Sequence, residues 1–377
     1  MKYAALSFYK ILRRHALAKD FKDFTFCNKK FSDLSARYIT ASFGSDADID
    51  LAMGRNMEIG GTNQYRINPN YFGDTWDNVL AFELNIIKNP CFYKTQAERE
   101  ISKPEIREIT RWLTSSHYPE WIDFEYQPED NHDVTRYYGW FDNIETWCVA
   151  GAVYGLRISF KCTTPFGYTK DIINEADVTT YSNLLISNNS DELNNYCYPT
   201  VEISPHADGQ IFICNLSDCN ILDNGTLTLS ESSYFDSLLT VVESYARLHG
   251  YTVKYTGSGA FNIIPLCNET AVQFYLIDKY GNDIKCTAFY TADTYEYRIL
   301  ENGFLFMNVY KDLDVHMDCQ NLVINDSVGR MITYEKLGIT DADHIYWLKL
   351  INGHNSLLLY GNAGFKFTHM ESRKAGE

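Results

Sequence analysis

Acidic side chains come closest to forming a chemical site in this sequence, and the first group lies at 46–50. Asp46, Asp48 and Asp50 alternate as in a calcium-binding loop, where neighbouring carboxylates converge on one ion. Leu51 occupies the position where such a loop needs glycine, and Met57 occupies that of the bidentate glutamate. The pattern therefore predicts a solvated loop and no metal site.

A second acidic group surrounds a single histidine. Its members are Glu120, Asp123, Glu125, Glu129, Asp130, His132 and Asp133. Two carboxylates held apart across a cleft would suit glycoside hydrolysis. Because the chain contains 49 acidic residues, many such pairs arise without a catalytic role. The group predicts a charged loop between strands, and a stand-alone sugar-active enzyme is kept only as a third alternative.

No other combination of residues suits catalysis or cofactor binding. The sequence has no glycine-rich phosphate loop, no G-x-G-x-x-G, and no Ser-His-Asp or Cys-His group with activating neighbours. None of the ten cysteines has C-x-x-C spacing, which predicts free thiols in a protein made in a reducing compartment. We therefore predict that the protein is not an enzyme, with no catalytic residue, cofactor or metal.

The charge of the chain argues against nucleic acid as a ligand. The formal net charge is −16, although residues 1–20 contain five basic side chains and one acidic side chain. The remainder carries about −20, a balance that repels phosphate backbones. Lys10, Arg13 and Arg14 interrupt the first apolar stretch, and no stretch is long enough to span a bilayer. No specific nucleic-acid binding, signal peptide or membrane insertion is expected.

The elements that must position these side chains are mostly strands. Tyrosine and phenylalanine number 28 and 22, and both favour half-buried β surfaces. Strands are predicted at 38–43, 64–69, 79–87, 184–187, 313–319, 357–360 and 365–368. A helix is predicted at 103–114, because Ser102, Pro104 and Glu105 form a helix start and Ile106, Ile109 and Leu113 share one face.

Turn signals predict two hairpins and one insert. Asp208-Gly209 is predicted to join strands 198–203 and 210–214, and Asp223-Asn224-Gly225 to close a second hairpin. Ser233 caps a helix that Gly250 ends, and short strands follow it. This block, 231–301, is predicted to be a small α+β module inserted in a loop of a β-sandwich.

The fold class is therefore mainly β, a β-rich α+β protein. Residues 1–20 form a basic N-terminal arm, predicted as a surface helix or as an arm that grips a neighbouring acidic subunit. Residues 21–167 form a β-sandwich or barrel-like domain with one helix. Residues 168–230 and 302–377 form a second sandwich, and the insert is 231–301.

Several segments, taken in order, resemble the distal tail (Dit) proteins of siphophages. In the first half, residues 23–34 resemble the family's first hairpin, 79–84 with 106–113 its strand-then-helix core, and 137–140 with 155–166 its closing strands. In the second half, 188–191 with 198–203 resemble the entry to its galectin-like jelly roll, and 313–319 with 352–357 its later strands. The basic arm departs from this pattern. The insert is similar to modules of larger members.

The resemblance implies a structural virion protein at the distal end of the tail, made in the cytoplasm of the bacterial host. The N-terminal domain would form the belt of a homo-hexameric ring, and DNA would pass through its lumen, lined by acidic residues. Partners would be the tail tube protein, the tail-associated hub protein, and receptor-binding or other baseplate proteins. The galectin sugar-binding groups are absent from the sequence. The alternative is a carbohydrate-binding adhesion protein that binds a host-surface glycan through 231–301.

Overall fold

The computed structural model describes residues 21–40, 55–60, 70–76, 79–126, 135–193, 195–228, 233–255, 263–264, 271–291, 294–339 and 345–374. The basic arm, the loop at 46–50 and the strand predicted at 64–69 lie outside these residues. The chain divides into two compact units, one within 1–170 and 372–377 and the other within 171–371. Antiparallel sheets dominate both units, so the predicted β-rich fold class is confirmed.

The first unit contains eleven of the strands described. They are β1 (Phe21–Phe26), β2 (Lys29–Lys30), β3 (Tyr38–Thr40), β4 (Arg55–Gly60), β5 (Asn70–Trp76), β6 (Ala81–Lys88), β7 (Glu120–Tyr126), β8 (Arg136–Val149), β9 (Ala152–Cys162), β10 (Phe166–Tyr168) and β26 (Ser372–Lys374). Its main sheet has the order β2-β1-β7-β8-β9-β6-β3, and β10 pairs with β8 and β26. Strands β4 and β5 pair separately. The sequence analysis assigned 302–377 to the sandwich, whereas β26 belongs to this first unit.

This sheet is strongly curled around a phenylalanine-rich core. Neighbouring strands lie about 4.8 Å apart, so strands three places apart in a flat sheet would be separated by about 14 Å. Phe82 on β6 and Phe124 on β7 are three places apart, yet their ring centroids are 5.7 Å apart. Phe26 on β1 and Phe160 on β9 are likewise 6.2 Å apart. The sheet therefore brings side chains from distant strands into one core.

Helix α2 (Lys103–Leu113) closes one end of that core, and a four-residue helix α1 (Gln96–Arg99), which the sequence analysis does not predict, precedes it. Glu105 accepts hydrogen bonds from the backbone N–H and the hydroxyl of Ser102, at 2.7 and 2.8 Å, so the predicted helix start is confirmed. Ile109, Trp112 and Leu113 are buried. The Trp112 indole N–H donates to the Phe26 carbonyl at 2.9 Å and thereby fixes the helix to β1.

The second unit is built on a two-sheet sandwich. Its strands are β11 (Ile172–Val178), β12 (Tyr181–Asn188), β13 (Thr200–Pro205), β14 (Gly209–Asn215), β21 (Phe304–Val309), β22 (Val315–Asp318), β23 (Val323–Asn325), β24 (Gly353–Tyr360) and β25 (Ala363–His369). The sheets have the orders β11-β25-β13-β22-β23 and β12-β24-β14-β21. Between them lies a core of aliphatic side chains with Phe365 and Phe367.

Two long antiparallel ribbons produce this sandwich. One pairs 172–188 with 353–369, and the other pairs 200–214 with 304–318; in each, the register is the same on both sides of a corner. Each ribbon folds over at its corner, so that its two halves lie in different sheets. The predicted hairpin across Asp208-Gly209 is therefore wrong, because β13 and β14 lie in opposite sheets. The last two strands, β24 and β25, likewise lie in opposite sheets.

The insert extends the tip of the β14–β21 hairpin. It contains β15 (Asn220–Thr226), helix α3 (Tyr234–His249), β16 (Thr252–Tyr255), β17 (Ile263–Ile264), β18 (Ala271–Ile277), β19 (Asp283–Tyr290) and β20 (Glu296–Glu301). Its sheet has the order β15-β20-β19-β18-β16. Asp223, Asn224 and Gly225 lie within β15 and pair with β20, so the hairpin turn predicted there is wrong. The insert sheet thus includes 220–226, which the sequence analysis had placed in the sandwich.

The insert sheet packs on both of its faces. One face covers α3 through residues that include Val272, Phe274 and Ala288. The opposite face contributes Ala271, Phe289 and Leu300 to a cluster with the outer side of the β12-β24-β14-β21 sheet. On that side, Phe212 lies 5.6 Å from Phe289 between ring centroids. The insert is therefore a third packed layer of the second unit.

Candidate functional site

The acidic group predicted from sequence is divided between described and undescribed residues. Glu120, Asp123 and Glu125 lie on β7, whereas Glu129, Asp130, His132 and Asp133 lie outside the description. Asp123 forms an ion pair with Arg136 at 3.0 Å, and Glu125 forms one with Lys30. Glu120 accepts a hydrogen bond from Ser116 at 3.2 Å. These three carboxylates each contact a partner on the surface of the sheet, and they do not face one another across a cleft.

Other chemical groups likewise lie apart in the described part of the chain. No cluster of three His, Cys, Asp or Glu side chains is placed there to hold a metal ion. Burial raises the pKa of Cys162 and Cys286 to about 12, so these thiols stay protonated. Among the same residues, no helix is long and apolar enough to cross a membrane.

The most distinctive surface feature is a row of apolar residues on the outer face of the first unit's sheet. Ile39 on β3 pairs with Ile87 on β6, Ile87 pairs with Gly155 on β9, and Gly155 pairs with Trp147 on β8. We call these four residues the apolar stripe. Trp147 is 48% exposed, and both isoleucines are half-buried and absent from the core cluster. The stripe thus runs across four adjacent strands, and its accessible apolar surface comes from Trp147 and the two isoleucines, because Gly155 is buried.

The local geometry of the β8–β9 hairpin explains the position of Trp147. Ala150 and Gly151 form the turn with φ values of 50° and 87°, the positive angles that a two-residue hairpin turn requires. Gly155 lies opposite Trp147, and a Cβ atom at Gly155 would stand 3.4 Å from the indole and 3.2 Å from the Ile86 carbonyl oxygen. Glycine at this position therefore allows the indole to lie across the neighbouring strand.

The hairpin extends beyond the core at this end. Residues 145–151 are all exposed, and they include Val149 at 48%. One step along the strands from the stripe, Glu145 and Arg157 pair on the same outer face, and Arg157 contacts Glu83 at 3.5 Å. An exposed apolar strip with a charged border is the arrangement that protein–protein interfaces use. The stripe is therefore the best candidate for a contact surface.

Comparison with known proteins identifies the class. A family model described as the phage tail protein N-terminal domain matches residues 19–164, and one described as the phage tail C-terminal domain matches residues 166–263. Together they define a phage tail protein. The chain belongs to this phage tail family, and the recognition of a siphophage distal tail protein made from the sequence agrees with both matches. Its location is accordingly the tail of the virion.

Two solved structures are similar over nearly their full length. The crystal structure of the Dit protein of phage SPP1, described as a paradigm of the hub adsorption apparatus in phages that infect Gram-positive bacteria, has 11% identity and a TM-score of 0.48, covering 92% of this chain and 98% of that one. The baseplate of phage P2, in its activated conformation with Ca, has 6% identity and a TM-score of 0.35, covering 93% and 98%. No curated protein matches the chain.

The sequence analysis missed the stripe. None of Trp147, Ile39 and Ile87 is predicted from the sequence to form a surface contact. These three residues are far apart in the sequence, and only the register of four strands brings them into one row. The one available signal was the apolar run at Trp147-Cys148-Val149, beside a turn where surface residues are expected.

Proposed function

We propose that six copies of this chain close into a ring at the distal end of a siphophage tail. The ring joins the tail tube protein to the tail-associated hub protein and to receptor-binding or other baseplate proteins. The first unit is the belt that forms the ring, and the second unit carries a galectin-like sandwich with its insert. In this proposal the protein is structural and is not an enzyme.

The observation that carries the proposal is the apolar stripe with its projecting hairpin. A homomeric ring needs two different complementary surfaces on each subunit, because every contact is head-to-tail. An exposed tryptophan in a row with two half-buried isoleucines on one side of a sheet supplies one such surface. The phage tail family match supports a role as a component of an assembled tail.

The net charge of the chain indicates which residues line the channel of the proposed ring. With a net charge of −16, the subunit carries an excess of acidic groups that repel the phosphates of passing DNA. We expect the residues that face the lumen to be net acidic. A bore lined with lysine and arginine in the assembled ring would contradict this part of the proposal.

Substitution of Trp147 with glutamate tests the contact surface. A tryptophan side chain offers about 150–250 Å² of surface, so the exposed 48% amounts to roughly 100 Å² per contact. At about 25 cal/mol/Å², its burial contributes about 2.5 kcal/mol, which corresponds to a roughly 70-fold change in the dissociation constant. Sedimentation velocity over a concentration series should show the W147E variant losing assembly.

A matched control is available in the insert. Tyr280 is 78% exposed, and its replacement by glutamate makes a comparable change on a surface outside the stripe. Y280E should assemble as the unaltered protein does. If W147E assembles with unchanged affinity while remaining folded by circular dichroism, the stripe is not the subunit contact. If the unaltered protein stays monomeric at every concentration, the ring itself is refuted.

The carbohydrate-binding alternative gains no specific support from the described residues. The insert is packed against the sandwich through Phe289 and Leu300. An isolated fragment 231–301 would lack the sandwich and would therefore expose these two residues to solvent. Glycan binding should therefore be tested with the whole chain. Binding of a host-surface glycan by the insert stays a prediction.

A further inference from the structure

Two cysteines meet in the link between the sandwich and the insert. Cys214 is the next-to-last residue of β14 and is fully buried, whereas Cys219 is half-buried and lies just before β15. The intervening turn is tight, because the Asn215 carbonyl accepts hydrogen bonds from the N–H groups of Asp218, at 3.1 Å, and Cys219, at 3.0 Å. The turn brings both cysteines to the same apolar cluster.

The Cys219 thiol donates a hydrogen bond to the Leu216 carbonyl oxygen at 3.3 Å. Its interaction with Cys214 makes the two thiols unequal, because it lowers the pKa of Cys219 and raises the pKa of Cys214 well above its ordinary value. By contrast, burial raises the pKa of Cys286 and Cys319 to about 12. A thiolate is the reactive form of cysteine, so Cys219 is better suited to attack than these buried thiols.

We propose that Cys214 and Cys219 form a disulfide bond that fixes the link between the sandwich and the insert. Phage tails meet their hosts outside cells, where disulfides form and persist. The proposal concerns only the second unit, so it stands or falls independently of the ring.

The reaction is a thiol–disulfide exchange with a low-molecular-weight disulfide such as oxidised glutathione. The Cys219 thiolate attacks one sulfur of the oxidant, the sulfur–sulfur bond of the oxidant breaks, and one glutathione thiolate leaves. Cys214, once deprotonated, then attacks the Cys219 sulfur and displaces the second glutathione. The two thiol protons pass to the departing thiolates, so one protein disulfide and two glutathione thiols result.

The bond would constrain both chain segments that enter the insert. The Asn215 N–H donates to the Gly303 carbonyl at 2.8 Å, so the turn is held against the returning strand. Gly303 has a φ of 71°, and a Cβ atom there would lie 2.6 Å from the Cβ atom of Cys219. Because Gly303 packs directly on Cys219, locking the turn also restricts the start of β21.

Peptide mapping of the full chain tests the proposal. Asp218 lies between the two cysteines, so cleavage before aspartate separates them into peptides 208–217 and 218–222. The protein is incubated with oxidised glutathione, alkylated, denatured and digested without reductant. We expect the two peptides to remain joined, with a mass two hydrogens below their sum, and to separate when a reductant is added.

Two results would overturn the proposal. One is separate peptides with Cys219 alkylated or carrying glutathione, and the other is Cys219 joined to a different cysteine. A second measurement uses hydrogen exchange of the unaltered protein, in which amides 215–219 should exchange at least threefold more slowly after oxidation. The C219S variant, which retains a small side chain at this half-buried position, should show no such change. Equal exchange before and after oxidation would refute the proposal that the disulfide restricts the turn at 215–219.

Discussion

Replacement of Phe289 by alanine tests whether the insert is a packed layer of the second unit. Phe289 is 1% exposed, and its ring lies 5.6 Å from Phe212 and 6.4 Å from Tyr360 across the boundary between insert and sandwich. Removing a buried phenylalanine side chain costs about 3–5 kcal/mol through lost burial and the cavity left behind. We therefore expect F289A to lower the free energy of unfolding of the second unit by about that amount.

A double-mutant cycle makes this prediction specific. Since Phe289 and Phe212 contact each other, the loss in the double variant should fall short of the sum of the two single losses by about 0.5–1.5 kcal/mol. Phe274 provides the matched control, because it is fully buried on the opposite face of the same sheet, against α3. F274A should add to F212A within about 0.5 kcal/mol.

The assay is urea unfolding of the full chain, followed by circular dichroism and fluorescence. Coupling between Phe289 and Phe212 with additivity for Phe274 would support the packed layer. If the Phe289 pair is additive, or if F289A costs less than about 1 kcal/mol, the reasoning about this cluster is wrong.

Three further predictions concern other parts of the chain. In the first unit, W112F should lower the free energy of unfolding by about 1–3 kcal/mol, because the Phe26 carbonyl loses its indole donor; urea unfolding measures this. Burial lowers the pKa of His369, so the unfolded chain binds its proton first, and stability should fall as the pH drops below about 6.5. Unfolding from pH 7.5 to 5 should show a weaker decline for H369Q. Finally, Cys148 and Cys91 are both exposed, and maleimide labelling of Cys148 alone should slow at assembling concentrations; equal slowing would argue against contact at the hairpin.

Local sequence signals predicted the two longer helices, α2 and α3, because helix starts depend on neighbouring residues. The capping serine and the following glutamate fixed the start of α2, and Ser233 with Gly250 bounded α3. Strand positions were also recoverable from alternation: Val315 and Met317 are buried, as the pattern at 313–319 predicts. These local signals are sufficient to predict the β-rich fold class.

Strand partners could not be predicted in the same way. On β14, Ile211 and Ile213 face the sandwich core, whereas Phe212 and Cys214 face the insert, so both sides are apolar and no alternation remains. A short polar turn after such a strand looks like a hairpin, although it joins two different sheets. No residue near Phe212 in the sequence indicates that the insert sheet covers this side chain.

The candidate site was beyond sequence reasoning for a related reason. Ile39, Ile87 and Trp147 have ordinary strand surroundings, and their common row depends on three strand pairings. A tryptophan in a strand is more often part of a core, so burial was the natural prediction for Trp147. The structure shows instead that the hairpin extends past the core.

Electron microscopy of the purified full chain tests the central proposal most directly. At concentrations where the protein assembles, class averages should show closed rings with sixfold symmetry, and W147E should yield single subunits. Rings of another symmetry, open filaments, or single particles of about 43.5 kDa at every concentration would contradict the proposed hexamer.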